Sequence, residues 1–272
     1  MKTVVITGSA RGLGYEMAKQ FRANGWNVVI SDINEENLKK AKETLSALHG
    51  TGKVEACTCD VTKYDQVESL LAYALEKFEN VEIWISNAGV NQPNKAVYEL
   101  TPSEIELMLN VDLKGAIFGC KAAYARMREQ GFGQIYAIDG YGSNDAKMLG
   151  LSLYGTSKRG LTYFMQALAK EAETLGDNIQ VGRLSPGIMI TDFLVNANND
   201  ATKVELSEKT KKVYNILGDY PDVIAEFLVR KMIANTKNGV VFEWLTNGKA
   251  FGRFLTAGFH KRDFFSENKS SN

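Results

Sequence analysis

Three features of this 272-residue chain predict an α/β fold, a single doubly wound domain with a central parallel sheet of about seven strands flanked by helices. Short β-branched runs alternate with longer helical stretches, the pattern of a parallel sheet covered on both faces. A glycine-rich turn joins the first strand to the first helix. No linker, low-complexity block or internal repeat divides the chain, so residues 1–260 are expected to form one domain and 261–272 a C-terminal tail.

The elements follow in order. Residues 3–7 form a strand, the glycine turn follows, and a helix covers 14–24. A strand at 27–31 leads to a polar helix at 35–48, and a third strand at 53–59 to a helix at 64–78. Runs at 81–86, 134–138, 179–184 and 240–245 read as further strands. Long helices at 103–130 and 152–175 separate the middle ones, and Pro102 stands where a helix start tolerates proline.

Composition excludes several function classes. Lys+Arg and Asp+Glu balance at 32 each, so no overall field draws nucleic acid or an anionic membrane. No apolar run is long enough to span a membrane, and the first strand begins by residue 3, which implies a cytoplasmic protein. Cys57, Cys59 and Cys120 lack metal-like spacing and read as core thiols, Cys57 and Cys59 on one face of a strand; no metal site is expected.

The turn Thr7-Gly8-Ser9-Ala10-Arg11-Gly12-Leu13-Gly14 lies between a strand and a helix, where glycines let the backbone approach a pyrophosphate at the helix's positive end. This predicts a nicotinamide dinucleotide. Asp32 ends the second strand about 20 residues on, where a carboxylate accepts from an adenosine ribose. It would repel a 2′-phosphate and favours NAD. Arg11 could reach such a phosphate and keeps NADP open. A turn or helix-start carboxylate is the alternative for Asp32.

Tyr154 and Lys158, four apart, share one face of a helix. A cation close to a phenol favours the phenolate, lowering the pKa from about 10 and making Tyr154 a general acid/base for a carbonyl or alcohol.

With the glycine turn and this pair together, residues 1–195 resemble a classical short-chain dehydrogenase/reductase. Asp60-Val61 matches that family's adenine-contacting position, and Asn87-Ala88-Gly89 the motif lining its cofactor cleft. Asn110 matches its proton-relay asparagine, and Pro186-Gly187 with Thr191 its carboxamide-binding segment. The resemblance implies that Lys158 holds the nicotinamide ribose and lowers the Tyr154 pKa, while Tyr154 exchanges a proton with the substrate oxygen.

Members usually carry a serine about 13 residues before the tyrosine. Here Gly140 or Tyr141 stands there, and Ser143 follows. Ser143 could swing in along a glycine-flanked path, Tyr141 could supply the hydroxyl, or the donor is lost; Ser143 is favoured. Tyr141 otherwise reads as pocket wall, and Asp139 as a turn carboxylate satisfied by backbone amides. Residues 139–143, 154–158 and 184–188 together resemble the chlorophyll b reductase branch, implying a formyl or keto group on a bulky apolar substrate.

Phe193, Leu194 and Val195 either line that pocket or serve ordinary helix packing. The aromatic and basic stretch 251–265 reads either as a membrane-surface or partner helix or as a segment packed on its own subunit or a neighbour, the latter favoured by zero net charge; 267–272 is expected to be disordered. The family pairs its long helices across a two-fold axis, implying a homodimer or homotetramer. An NAD(P)-binding regulator or scaffold with little catalysis is the alternative function, and an epimerase or dehydratase of the same family a third.

Overall fold

The computed structural model of the protein describes residues 1–190, 207–259 and 262–265. Seven strands form one parallel sheet: β1 (Thr3–Thr7), β2 (Asn27–Asp32), β3 (Val54–Thr58), β4 (Ile83–Ser86), β5 (Gly133–Ile138), β6 (Ile179–Ser185) and β7 (Val240–Glu243), in the order β3-β2-β1-β4-β5-β6-β7. The chain reverses its direction of travel across the sheet between β1 and β4. This opens a crevice beyond their C-terminal ends, where open α/β sheets bind ligands. The predicted fold class is therefore observed.

Helices cover both faces. On one side α1 (Gly12–Ala23) and α2 (Glu35–Ala47) pack with a C-terminal helix (Pro221–Ile233, here α8) over Val4, Ile6, Val28, Ile30, Ile83 and Ile85. On the other, α3 (Tyr64–Phe78), α5 (Ala116–Gln130) and α6 (Ser152–Leu175) cover Val5, Val29, Trp84, Ile135 and Val181. Alternate residues of each strand thus enter opposite cores, and continuous β-branched runs are what two-sided burial demands. Cys59 is buried in the second core and Cys57 lies half-buried against it, consistent with one shared face.

One predicted helix is not uniform. In place of a single helix at 103–130, the chain forms α4 (Pro102–Met108), a wide π turn (Leu109–Gly115) and α5. Pro102 opens α4, and Thr101 and Glu104 cap it reciprocally. The wide turn seats Gly115 against Val61, where a Cβ would come within 2.8 Å of the valine Cγ2. Such turns often mark functional sites.

The remaining described helices are α7 (Glu208–Leu217) and α9 (Asn247–Thr256). Residues 262–265 dock on the domain rather than forming a free tail beyond 260. Arg262 pairs with Asp219 at 3.0 Å, Phe264 packs edge-on against Tyr220, and Phe265 lies against Tyr214. Packing on its own subunit is thus the observed fate of this part of the C-terminal stretch. The calls on Thr191, Phe193, Leu194, Val195 and residues 267–272 lie outside the described residues. Among the described residues no helix is long and apolar enough to cross a membrane.

Candidate active site

The crevice at the reversal point is built by the turns after β1 and β4. Asn87 donates its amide to the carbonyls of Thr7 and Gly8 at 2.9 and 2.8 Å, while Thr7 Oγ1 accepts the Asn87 and Ala88 N–H groups at 3.1 and 3.2 Å. This fit leaves no room for side chains. A Cβ on Gly8, which has φ +62°, would lie 2.6 Å from Ala88 Cα, and one on Gly14 2.5 Å from Asn87 Nδ2. A Cβ on Gly12 would meet nothing within 4 Å, so the turn faces open space there. Arg11 caps α1 without a side-chain bond and the first turn holds no acid, leaving the positive helix end free for a phosphate. The backbone and helix end fit a pyrophosphate.

Not every predicted cofactor residue faces the crevice. Ser9 is fully buried, its hydroxyl donating to Ile6 O at 2.7 Å and accepting from Ser31 N at 3.0 Å. Its N–H donates to Ser31 O. Ser9 therefore ties β1 to β2 through both its hydroxyl and its N–H. Leu13 is buried in the core beneath the turn.

Asp32 stands at the expected strand end, half-buried, accepting from Ala10 N at 3.3 Å and Asn34 N at 3.1 Å. Arg11 and Lys40 line a neighbouring cavity of about 290 Å³ together with Tyr15, Asn37 and Thr44. Asp60 accepts from Thr62 N and donates its own N–H to Gln66 Oε1, and Val61 is buried. Gly187, after β6, has φ +72° and packs on Leu245, and Pro186 is buried.

Tyr154 and Lys158 lie in the first turns of α6. No side chain of α6 caps its start. Gln92, buried in the loop after β4, does so from a distance, its Oε1 accepting the Leu153 and Tyr154 N–H groups at 2.9 Å each. Replacing Gln92 with alanine should cost about 1–2 kcal/mol in urea unfolding, the usual loss of a helix cap.

Lys158 is buried, donates to Ile138 O at 3.3 Å and lies 5.6 Å from the centre of the Tyr154 ring. Burial alone would push its ammonium down, but Tyr154, Asp112 and Asp139 together raise it, so the cation persists. For Tyr154 the expectation of a lowered pKa is corrected. Burial pushes the phenol up, Asp112 and Asp139 add to that, and the pull of Lys158 only partly offsets them. The phenol is held protonated, as a donor.

Residue 140 resolves the missing serine in part. A Cβ built on Gly140 would overlap Tyr154 Oη and come within 3.0 Å of Lys158 Cγ, so no side chain fits there. Ser143 closes the turn instead, its Oγ accepting the Gly140 N–H at 3.1 Å, and Tyr141 is exposed.

One acid takes a different place from the one its sequence suggests. Asp139 is no turn carboxylate: it is buried, paired with Arg183 Nη1 at 2.7 Å across β5 and β6, and accepts from the Thr162 hydroxyl at 3.4 Å. Burial pushes its carboxyl up against the pull of Arg183 and Lys158. In the π turn, Asp112 accepts the Val90 N–H on Oδ1 at 2.7 Å, and Asn110, two residues earlier, lies half-buried with its carbonyl facing Gly115. Asp112 is 1% exposed, and Gly89 approaches it so closely that a Cβ would lie 3.4 Å from Oδ1.

The family described as short chain dehydrogenase matches residues 2–202. A chlorophyll(ide) b reductase, NOL, chloroplastic, of Oryza sativa subsp. japonica is 32% identical over 260 residues, 93% of this chain and 74% of that protein. The probable chlorophyll(ide) b reductase NYC1, chloroplastic, of Arabidopsis thaliana is 29% identical over 282 residues, 98% of this chain and 55% of that protein. The chain thus spans about half the length of that relative. Among solved structures, levodione reductase superposes with a TM-score of 0.77 at 22% identity, over 92% of this chain and 98% of that one. A 3-ketoacyl-(acyl-carrier-protein) reductase of Brucella melitensis complexed with NADH gives the same values. At such identities these structures speak for the fold.

Proposed function

The chain belongs to the short-chain dehydrogenase family, and on that premise we propose that it is an NAD(P)-dependent reductase whose Tyr154 protonates the oxygen of a carbonyl substrate. The observation that carries this reading is the Tyr154 ring beside the buried Lys158, 5.6 Å from its Nζ, with Gly140 packed so closely on the phenol oxygen that no side chain fits between.

Gly8, Gly12 and Gly14 with the α1 N-terminus would hold the pyrophosphate, Asp32 the adenosine ribose, Asp60 and Val61 the adenine, and Pro186 and Gly187 the carboxamide. Asn87, Ala88 and Gly89 wall the crevice. When bound, the cofactor supplies the hydride that a carbonyl carbon accepts. Lys158 holds the ribose and keeps a positive charge beside Tyr154, favouring the phenolate left after proton donation. Ser143, fixed by the Gly140 N–H, supplies a hydroxyl that orients the substrate oxygen.

Similarity to chlorophyll(ide) b reductases supports a formyl or keto group on a bulky, flat, apolar molecule. The test is turnover of NADH or NADPH with aromatic aldehydes, followed by nicotinamide absorbance. Tight cofactor binding with no turnover on any carbonyl would favour a binding or regulatory role. NAD is the favoured cofactor because of Asp32; Arg11 and Lys40, which line one cavity with Ala10, support NADP as the second reading. Asp32→Ser should raise the NADPH-to-NADH ratio of kcat/KM by about tenfold or more, since it removes like-charge repulsion. An unchanged ratio would remove Asp32 from cofactor selection. Exposed Tyr163 and Leu175 on the outer face of α6 favour assembly of two or four copies through that helix.

A further inference from the structure

One carboxylate outside the crevice gathers donors from three separate parts of the chain. Asp219, between α7 and α8, keeps only 12% exposure at its side chain. Its Oδ2 accepts from Trp244 Nε1 at 2.6 Å and from Arg253 Nη2 at 2.7 Å, and its Oδ1 from Arg262 Nη1 at 3.0 Å. Two guanidinium groups exceed one carboxylate, and the negative end of α7 meets the surplus. Arg253 also donates to Leu217 O at 2.8 Å, and Arg262 to Gly218 O at 3.0 Å and to Ile216 O. Charge-assisted bonds from several sides hold the aspartate in one place.

The same residue holds the backbone that leaves β6. Its N–H donates to Ile188 O at 3.1 Å and its carbonyl accepts from Ile190 N at 3.0 Å, a parallel bridge opposite Met189. Trp244 closes the circuit: its N–H donates to Ser185 O at 2.9 Å, and Leu245 beside it packs on Gly187. Residues 185–190, 219 and 244–245 are thus bonded pairwise. The stretch begins beside Lys158, because Leu184 pairs with Ile138, whose carbonyl accepts Lys158 Nζ.

We propose that Asp219 is a positioning residue for the nicotinamide end of the cofactor: anchored by Trp244, Arg253 and Arg262, it fixes residues 186–190, so that the C-terminal stretch helps to shape the site. The proposal rests on the reductase reading, which gives Pro186 and Gly187 to the carboxamide, and deepens it. The turns given to the pyrophosphate and the adenosine follow β1, β2 and β3, in the other half of the sheet from β6 and β7. A change at Asp219 should therefore be felt at one end of the cofactor only.

The test measures binding, not turnover. Titration calorimetry compares NADH with ADP-ribose, which lacks the nicotinamide; if the wild type prefers a 2′-phosphate, NADPH is compared with 2′-phospho-ADP-ribose. Asp219→Asn keeps the shape and the backbone bonds but turns one accepting oxygen into a donor that faces a guanidinium or the indole. It should weaken the nicotinamide ligand about tenfold, the equivalent of one charge-assisted bond, and leave the fragment within about twofold. Equal weakening of both ligands, or of neither, would overturn the proposal. If that variant does not fold, Arg253→Gln removes one donor whose side chain is 20% exposed. The same selective loss is then expected at about threefold, and its absence would overturn the proposal equally. Wild-type protein that binds none of these ligands would sink the reductase reading, and the proposal with it.

Discussion

Tyr154→Phe should lower carbonyl reduction by about 10²–10⁴-fold while leaving the fold intact, the range expected when a positioned general acid is removed. The substitution deletes one oxygen and keeps the ring that packs beside Lys158. α6 is held by Gln92 through backbone N–H groups, which the change does not touch. Thermal unfolding should therefore be nearly unchanged, and cofactor affinity should persist because the crevice is built from the β1 and β4 turns. Nicotinamide absorbance with an aromatic aldehyde, alongside circular dichroism, separates the two effects. Full turnover in the variant would sink the acid assignment, whereas joint loss of fold and activity would show that Tyr154 is structural.

The second large effect is on stability. Asp139→Asn should destabilise the protein by about 3 kcal/mol, because it leaves the Arg183 guanidinium without its counter-charge in a mostly buried position. The lower end of the usual range applies, as the Arg183 side chain keeps 14% exposure. Combining it with Arg183→Met should recover much of the loss, since an apolar side chain there needs no partner. Urea unfolding of the single and double variants measures both. A loss under about 1 kcal/mol for the single variant would mean that water reaches the arginine well enough to replace the acid.

The contiguous motifs were legible because the chemistry they carry is local. The glycine turn, Asn87-Ala88-Gly89 and the Tyr154–Lys158 spacing each work within one turn or loop, and strand alternation gave the sheet. What was illegible depends on distance along the chain or on local helix geometry. The π turn at Leu109–Gly115 is invisible in helical periodicity, since it inserts extra backbone within what reads as one long helix. Arg183 meets Asp139 only through the β5–β6 register, in which Arg183 lies opposite Ala137. Ser9 sits inside a ligand-binding motif, yet its hydroxyl bonds β1 and β2, a use that no spacing reveals. The phenol's direction of shift also escaped, since a nearby lysine is visible in sequence and the depth of its burial is not.

The distant cap on α6 bears on how the site comes into being. A helix start is the costly step of helix formation, and here the groups that would satisfy it are 61 and 62 residues away in sequence. The loop after β4 must dock before the first turn carrying Tyr154 is secured. That same loop begins at the Asn87 turn, which itself forms only when β1 and β4 are paired. The acid's place therefore depends on the crevice it serves, and a chain with a misregistered sheet would carry the full motif without a working site.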